Sequence, residues 1–181
     1  MAIFSMSVSV DGFVSDRDGD FGWTVPTDEV FRAHLEQVGA LGAYVMGRRL
    51  YETMRVWETD PALRSDPDRA VFADVWAGLP KVVFSRTLDR VEGNARLARA
   101  SLEEELAAAA EPVAVGGAAL AAAAIERGLV DDFRLFRYPV VLGGGTPYFP
   151  PVRLPLALVE TRTFGDVIFE RYSTRGVPEV E

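Results

Sequence analysis

From residue 3 to residue 10 the chain alternates, with Ile3, Ser5, Ser7 and Ser9 on one side and Phe4, Met6, Val8 and Val10 on the other. A period of two marks a half-buried strand, and Asp11-Gly12 ends it as a turn pair. Residues 15–20 follow as a polar surface loop. Val30, Phe31, Leu35, Val38 and Leu41 then recur at helical spacing behind Pro26-Thr27-Asp28, which predicts a helix over 27–38. The short apolar run 43–46 reads as a buried strand, switched at Gly47 into a helix that runs through Met54.

The same punctuation continues to the C-terminus. Pro61 and Pro67 mark a loop over 60–68, ahead of a helix at 69–76 and a β-branched strand at 81–85. Ser101 and Glu104 have the spacing of a capping box, so 102–110 is read as a helix. A strand at 113–115 passes through Gly116-Gly117 into an alanine-rich helix, 118–127, closed by Gly128. Residues 133–142 form the longest strand candidate, and 154–164 with 167–172 form a hairpin around Gly165-Asp166. Strand and helix in alternation, closed by a hairpin, predict an α/β fold: a sheet mostly parallel in its middle, with antiparallel edge strands from the C-terminal hairpin and flanking helices. The 181 residues fit one domain, placed at 1–175, with 176–181 as a short tail.

Charge narrows the partners. Lys+Arg 19 against Asp+Glu 27 gives a net charge of −8, which repels nucleic acid and anionic membrane surfaces. The chain has no cysteine and one histidine, His34, so disulfides, thiolate chemistry and a cysteine or histidine metal centre are not expected. The N-terminus has no basic leader before an apolar run, and the cytoplasm is the expected compartment. In so acidic a chain an anionic ligand needs local cations, which singles out Arg48-Arg49.

Three turns are read as strand-to-helix turns: Gly47-Arg48-Arg49, Ser85-Arg86 and Gly116-Gly117-Ala118-Ala119. Helix N-termini at the edge of a parallel sheet present free N–H groups, and phosphate is their natural guest. Each turn also has a plain structural reading: a tight turn with solvated arginines, a strand end, and close helix-on-sheet packing. The six-residue dinucleotide fingerprint is absent, because Gly116-Gly117 has no third glycine and Gly143-Gly144-Gly145 opens no helix. Asp28, behind Trp23 and Pro26, can bond the N–H groups of a heterocycle or act as a first-turn acid. Asp11 at the first strand end is either a second such carboxylate or half of an Asp-Gly turn. The run Asp16 to Asp20 is not a calcium loop, since its glycine comes too early and Thr27 stands where a bidentate acid belongs. His34 is read as a surface or packing residue, and Trp57 and Trp76 as core or interface aromatics.

In order, Ser9-Val10-Asp11-Gly12, Val45-Met46-Gly47-Arg48, Val82 to Leu88, Val115-Gly116-Gly117, Gly128 to Asp132 and Pro139 to Pro147 resemble the dihydrofolate reductase-like superfamily. They are most similar to the C-terminal reductase domain of bacterial riboflavin-biosynthesis deaminase-reductases and its stand-alone relatives. The resemblance spans about residues 3–171. It implies a homodimeric NADPH-dependent reductase. Gly47, Arg48, Arg49 and Leu50 would hold cofactor phosphates, and Ser85 and Arg86 the 2′-phosphate. Gly116, Gly117, Ala118, Ala119 and Leu120 would hold the pyrophosphate and nicotinamide ribose, and Asp11, Trp23, Asp28 and Tyr51 the substrate. Asp28 is then the first candidate proton donor and Asp11 the second. The zinc deaminase part of the bifunctional enzyme does not occur in this sequence, whose lack of cysteine would leave that metal site without thiolates.

The expected reaction is hydride transfer to a ribosylaminopyrimidine or a related small heterocycle. The spacing Trp23-x-x-Pro26-x-Asp28 keeps dihydrofolate or pteridine reduction as the alternative. A module that binds nucleotide without turnover is the other.

Overall fold

In the computed structural model, which describes residues 1–176, six strands run parallel: β1 (Ala2–Ser9), β3 (Ala43–Gly47), β4 (Lys81–Phe84), β5 (Ala95–Leu97), β6 (Val113–Gly116) and β7 (Asp132–Tyr138). The strands β9 (Ala157–Phe164) and β10 (Val167–Ser173) complete a sheet of order β5-β4-β3-β6-β1-β7-β10-β9, in which β10 is antiparallel to both neighbours. Antiparallel pairing therefore occupies the edge formed by the C-terminal hairpin, as expected. A second, two-stranded ribbon joins β2 (Phe13–Ser15) to β8 (Thr146–Pro147). The tail expected at 176–181 lies almost wholly outside the described residues. Arg175, at the end of the expected domain, is anchored, with Nη2 donating to Asp131 at 3.0 Å.

Helices cover both faces. On one side lie α1 (Asp28–Gly39), α2 (Arg48–Met54), α3 (Val56–Thr59) and α4 (Pro67–Gly78), where Phe72 and Trp76 pack against Met46 and Val83. On the other, α5 (Leu102–Ala108) and α6 (Ala118–Glu126) bury Leu102, Leu106, Ala121 and Ile125 against Phe4, Val8, Val45 and Val115. The caps follow the sequence: Thr27 caps α1, the capping box of Ser101 and Glu104 opens α5, and Gly128 leaves α6 at φ 67°.

Four expectations change. β1 is not a half-buried strand but a central one, flanked by β6 and β7. Its serines face inward because the neighbouring elements bring polar partners: Ser5 donates to Gln37 of α1 at 2.9 Å, and the fully buried Ser9 donates to Asp11 at 2.7 Å. α4 starts at Pro67 with Asp66 as its cap, two residues before the predicted start, because proline fits a first helical position. The strand predicted over 133–142 stops at Tyr138, since Pro139 has no N–H to give the ladder and the chain turns there. Ser85-Arg86 opens no helix: β4 leads through a turn and an extended loop into β5.

Candidate functional site

Because β1, β3, β4, β6 and β7 are parallel, their C-terminal ends share one edge. β3 and β6 are adjacent, so the N-termini of α2 and α6 open side by side; a methyl on Gly117 would sit 3.6 Å from the Gly47 N–H nitrogen. Neither helix has a side-chain cap. Their first N–H groups therefore point, with the positive ends of both helix dipoles, toward one place.

The glycines at this edge have different reasons for being there. A methyl on Gly116 would stand 2.5 Å from Tyr44 Cε1 and 2.8 Å from its hydroxyl, closer still to Leu50, so packing excludes any side chain. Gly117 has φ 86°, a backbone that side chains rarely adopt. Gly47 has neither constraint: φ is −78°, ψ is 161°, and a methyl there would meet nothing within 4 Å. The space in front of it is open.

Arg48 is partly engaged, with Nε donating to Glu52 at 2.8 Å and Nη1 to the Thr87 hydroxyl at 2.6 Å. That bond ties α2 to the loop after β4. Arg49 and Arg86 are exposed and have no side-chain partner among the described residues. Ser85 turns inward on its own loop, accepting from the Thr87 and Leu88 N–H groups at 3.1 and 3.0 Å. Beside these groups a cavity of about 540 Å³ opens between α2 and the loop, lined by Glu52, Arg55 and residues 87–92, with Arg90 at its rim.

The substrate-side residues separate into anchors and free groups. Both oxygens of Asp11 are occupied: Oδ1 accepts from the Ser9 hydroxyl and the Leu142 N–H, and Oδ2 from the Gly143 N–H at 2.7 Å. The Ser9 bond, aided by the two backbone donors, lowers its pKa, the opposite of what a proton donor needs. Asp11 thus pins the segment after β7. Tyr51 is buried, and its hydroxyl accepts from the Glu92 N–H at 2.7 Å, which holds the cavity loop in place.

Asp28 is the first residue of α1, exposed, with Thr27 doing the capping. Its carboxylate has no hydrogen bond among the described residues. Trp23 packs edge-on to Tyr138 at 5.8 Å, and its indole nitrogen is buried with no hydrogen-bond partner among the described residues. His34 lies over Phe136 at 4.1 Å, which makes it a packing residue, one of the two roles the sequence left open.

Sequence reading passed over the staple beneath this side. Arg17 donates to the Gly143 carbonyl at 2.7 Å, and a methyl on Gly144 would strike its guanidinium at 2.6 Å. The triple glycine is the signal that could have found it: three residues without side chains where two loops cross. Among the described residues no group of three or more His, Cys, Asp or Glu could hold a metal ion, and no helix is long and apolar enough to cross a membrane.

The model of the RibD C-terminal domain family matches residues 1–169. The chain belongs to that family. Two Bacillus subtilis (strain 168) relatives share this RibD-type chain over most of their length. Uncharacterized protein YyaP is 30% identical over 179 residues, spanning 93% of this chain and 91% of its own. Uncharacterized protein YwjB is 25% identical over 173 residues, 94% and 95% respectively. Among solved structures, a Shewanella sp. PV-4 protein provisionally assigned to riboflavin biosynthesis superposes with TM-score 0.70 at 21% identity, over 95% of this chain and 97% of that one. Two longer proteins match over about half their length. They are the Thermotoga maritima diaminohydroxyphosphoribosylaminopyrimidine deaminase/5-amino-6-(5-phosphoribosylamino)uracil reductase and Acinetobacter baumannii RibD. Their TM-scores are 0.65 and 0.70, at 15% and 14% identity, with 56% and 57% of those chains covered and 96% and 95% of this one. At such identities they speak for the fold, which is that of RibD reductase domains.

Proposed function

We propose that this protein is an NADPH-dependent reductase that delivers hydride to a small nitrogen heterocycle, a ribosylaminopyrimidine first among them. The observation that carries the reading is Gly47, a glycine that neither its backbone angles nor its neighbours require, at the mouth of two uncapped helix N-termini. A phosphate lying against that backbone accounts for it, because a methyl there would fill the space the phosphate needs. The residues present fit the dinucleotide: the first N–H groups of α2 and α6 for phosphate oxygens, Arg49 and Arg48 for charge, and Arg86 for a 2′-phosphate. Membership of the RibD C-terminal domain family supports the same class.

When bound, NADPH supplies hydride to a carbon made electrophilic as an imine or carbonyl. The chain would orient the partners and supply the accompanying proton. Leu50 and the segment Ala118 to Leu120 border the turns and would hold the ribose beside the substrate. Asp28 would hold an N–H of the heterocycle and relay a proton from water to the neighbouring nitrogen, a task for which Asp11, with three hydrogen bonds already, is poorly suited.

The test is purified protein with NADPH and a panel of ribosylaminopyrimidines, dihydrofolate and other pteridines, followed by NADPH absorbance. Saturable oxidation with one member supports the reading and names the substrate. Saturable NADPH binding with no oxidation across the panel would overturn it in favour of a nucleotide-binding module.

A further inference from the structure

The C-terminal edge of the sheet divides by charge. On one half, where β3 and β4 end, stand Arg48, Arg49 and Arg86, all exposed. β1 and β7 end on the other half, and the hydrogen bond from the Tyr138 hydroxyl to the Thr24 carbonyl, 3.2 Å, brings the approach to α1 beside them. From Val10 to Glu29 the chain carries Asp11, Asp16, Asp18, Asp20, Asp28 and Glu29 against Arg17 alone, and residues 139–149 carry no charge. The substrate half of the edge is therefore acidic.

The cations near it are already engaged. Arg17 lies across the Gly143-Gly144 backbone, with Nη2 donating to the Gly143 carbonyl at 2.7 Å, and its own loop holds three aspartates. The arginines of β7 and α1 are paired: Arg134 with Asp132, Arg137 with Glu170 and Arg32 with Asp68. What this half offers a ligand instead is apolar surface. Val10, Phe21, Val25 and Val141 are 52, 51, 76 and 70% exposed. The Val10 N–H donates to the Val140 carbonyl at 2.9 Å, which keeps the first and last of these on adjoining segments. Bare apolar side chains beside the free carboxylate of Asp28 suit a planar ring that offers an N–H and an uncharged substituent. A phosphate ester there would face carboxylates, with the guanidiniums of the other half taken up by the cofactor.

We propose that the substrate is an uncharged, unphosphorylated nitrogen heterocycle, selected against its phosphorylated analogues by the acidic segment between β1 and α1. The proposal rests on the reductase reading of this edge and narrows it: a ribosylaminopyrimidine would enter as the nucleoside, not the nucleotide.

Matched probes test it: 5-amino-6-ribosylaminouracil against its 5′-phosphate, and 6-methylpterin against 6-carboxypterin, each titrated calorimetrically into the NADP⁺-saturated protein. The uncharged member of each pair should bind roughly tenfold tighter or more, and the gap should shrink as salt is raised. Asp18 and Glu29 are exposed, and their carboxylates have no hydrogen bond among the described residues. In the double variant Asp18→Asn/Glu29→Gln, with melts confirming a folded chain, the gap should narrow while affinity for the uncharged member holds. Equal affinities, tighter binding of the charged member or no binding of any probe would overturn the proposal. So would a gap unmoved by salt or by the double variant. NADPH oxidation is read separately. Oxidation of the phosphorylated uracil alone overturns this inference and leaves the reductase reading standing, whereas a charge gap in binding with no probe oxidised does the reverse.

Discussion

Replacing Gly47 by alanine separates a ligand contact from a structural one. At φ −78° and ψ 161° alanine is unstrained, and the added methyl meets nothing within 4 Å. Two small stability terms oppose each other: alanine reduces the freedom of the unfolded chain, worth about 0.4–1 kcal/mol, and it is a poorer N-cap than glycine by a similar amount. The melting temperature should therefore stay within a few degrees of wild type. NADPH should bind more weakly, by about 1–3 kcal/mol if the methyl must be accommodated against a phosphate, or roughly five- to 150-fold in Kd. Gly116→Ala is the control. Its methyl would fall 2.5 Å from Tyr44 and closer to Leu50, so it should cost about 1–3 kcal/mol of stability whether or not a ligand binds. Thermal melts and calorimetric titration with NADPH on both variants give the answer. Unchanged affinity in a fully stable Gly47→Ala protein would refute the reasoning that the open space belongs to a ligand.

Other expectations follow from the same edge and from the core. NADPH should bind more tightly than NADH, and Arg48→Ala or Arg86→Ala should narrow the gap; equal affinities in the wild type would remove the 2′-phosphate assignment. Asp28→Asn should lower turnover severalfold while NADPH titrations are unchanged, and full turnover would return Asp28 to helix electrostatics alone. Burial pushes His34 from 6.5 to about 4. Between those values the unfolded chain binds a proton that the folded one refuses, so stability falls as pH drops from 6.5 to about 4, by up to about 3 kcal/mol. His34→Leu should flatten that part of a melting-temperature profile, and an unaltered slope would show that other groups produce it. Glu105, held by Arg96 and the Arg99 and Ala100 N–H groups, is brought down to about 2. Its contribution is complete above pH 4.5 and lost toward 2, so Glu105→Gln should flatten the acid limb below 4.5.

Much of this architecture was legible because each signal was local. Thr27-Asp28, Ser101-x-x-Glu104 and Gly128 announce helix ends within a single turn, and the predicted helices lie where those residues put them. What stayed hidden depends on partners far along the chain. The serines of β1 look solvent-facing until Gln37 and Asp11 arrive beside them. Ser85-Arg86 looks like the other two turns, but the segment after it carries Thr87 to Arg48 and Glu92 to Tyr51, contacts that pull it into a loop. At the site, the glycines could be seen and not sorted, because packing at Gly116, backbone at Gly117 and open space at Gly47 are identical letters. Asp11 and Asp28 likewise differ only in who donates to them.

β1, deep inside the sheet, is synthesised long before either strand that flanks it. Ala2 bonds Asp131 across 129 residues, and β1 finds its neighbours only in β6 and β7. At roughly 5–20 residues per second, synthesis of that interval takes on the order of ten seconds. Throughout it Phe4 and Val8, fully enclosed in the finished molecule, have no strand to lie against. The nascent β1 segment is therefore a natural substrate for chaperones. A chain arrested before β7 emerges should be digested readily by protease up to about Ser9, whereas one released after Tyr138 should resist.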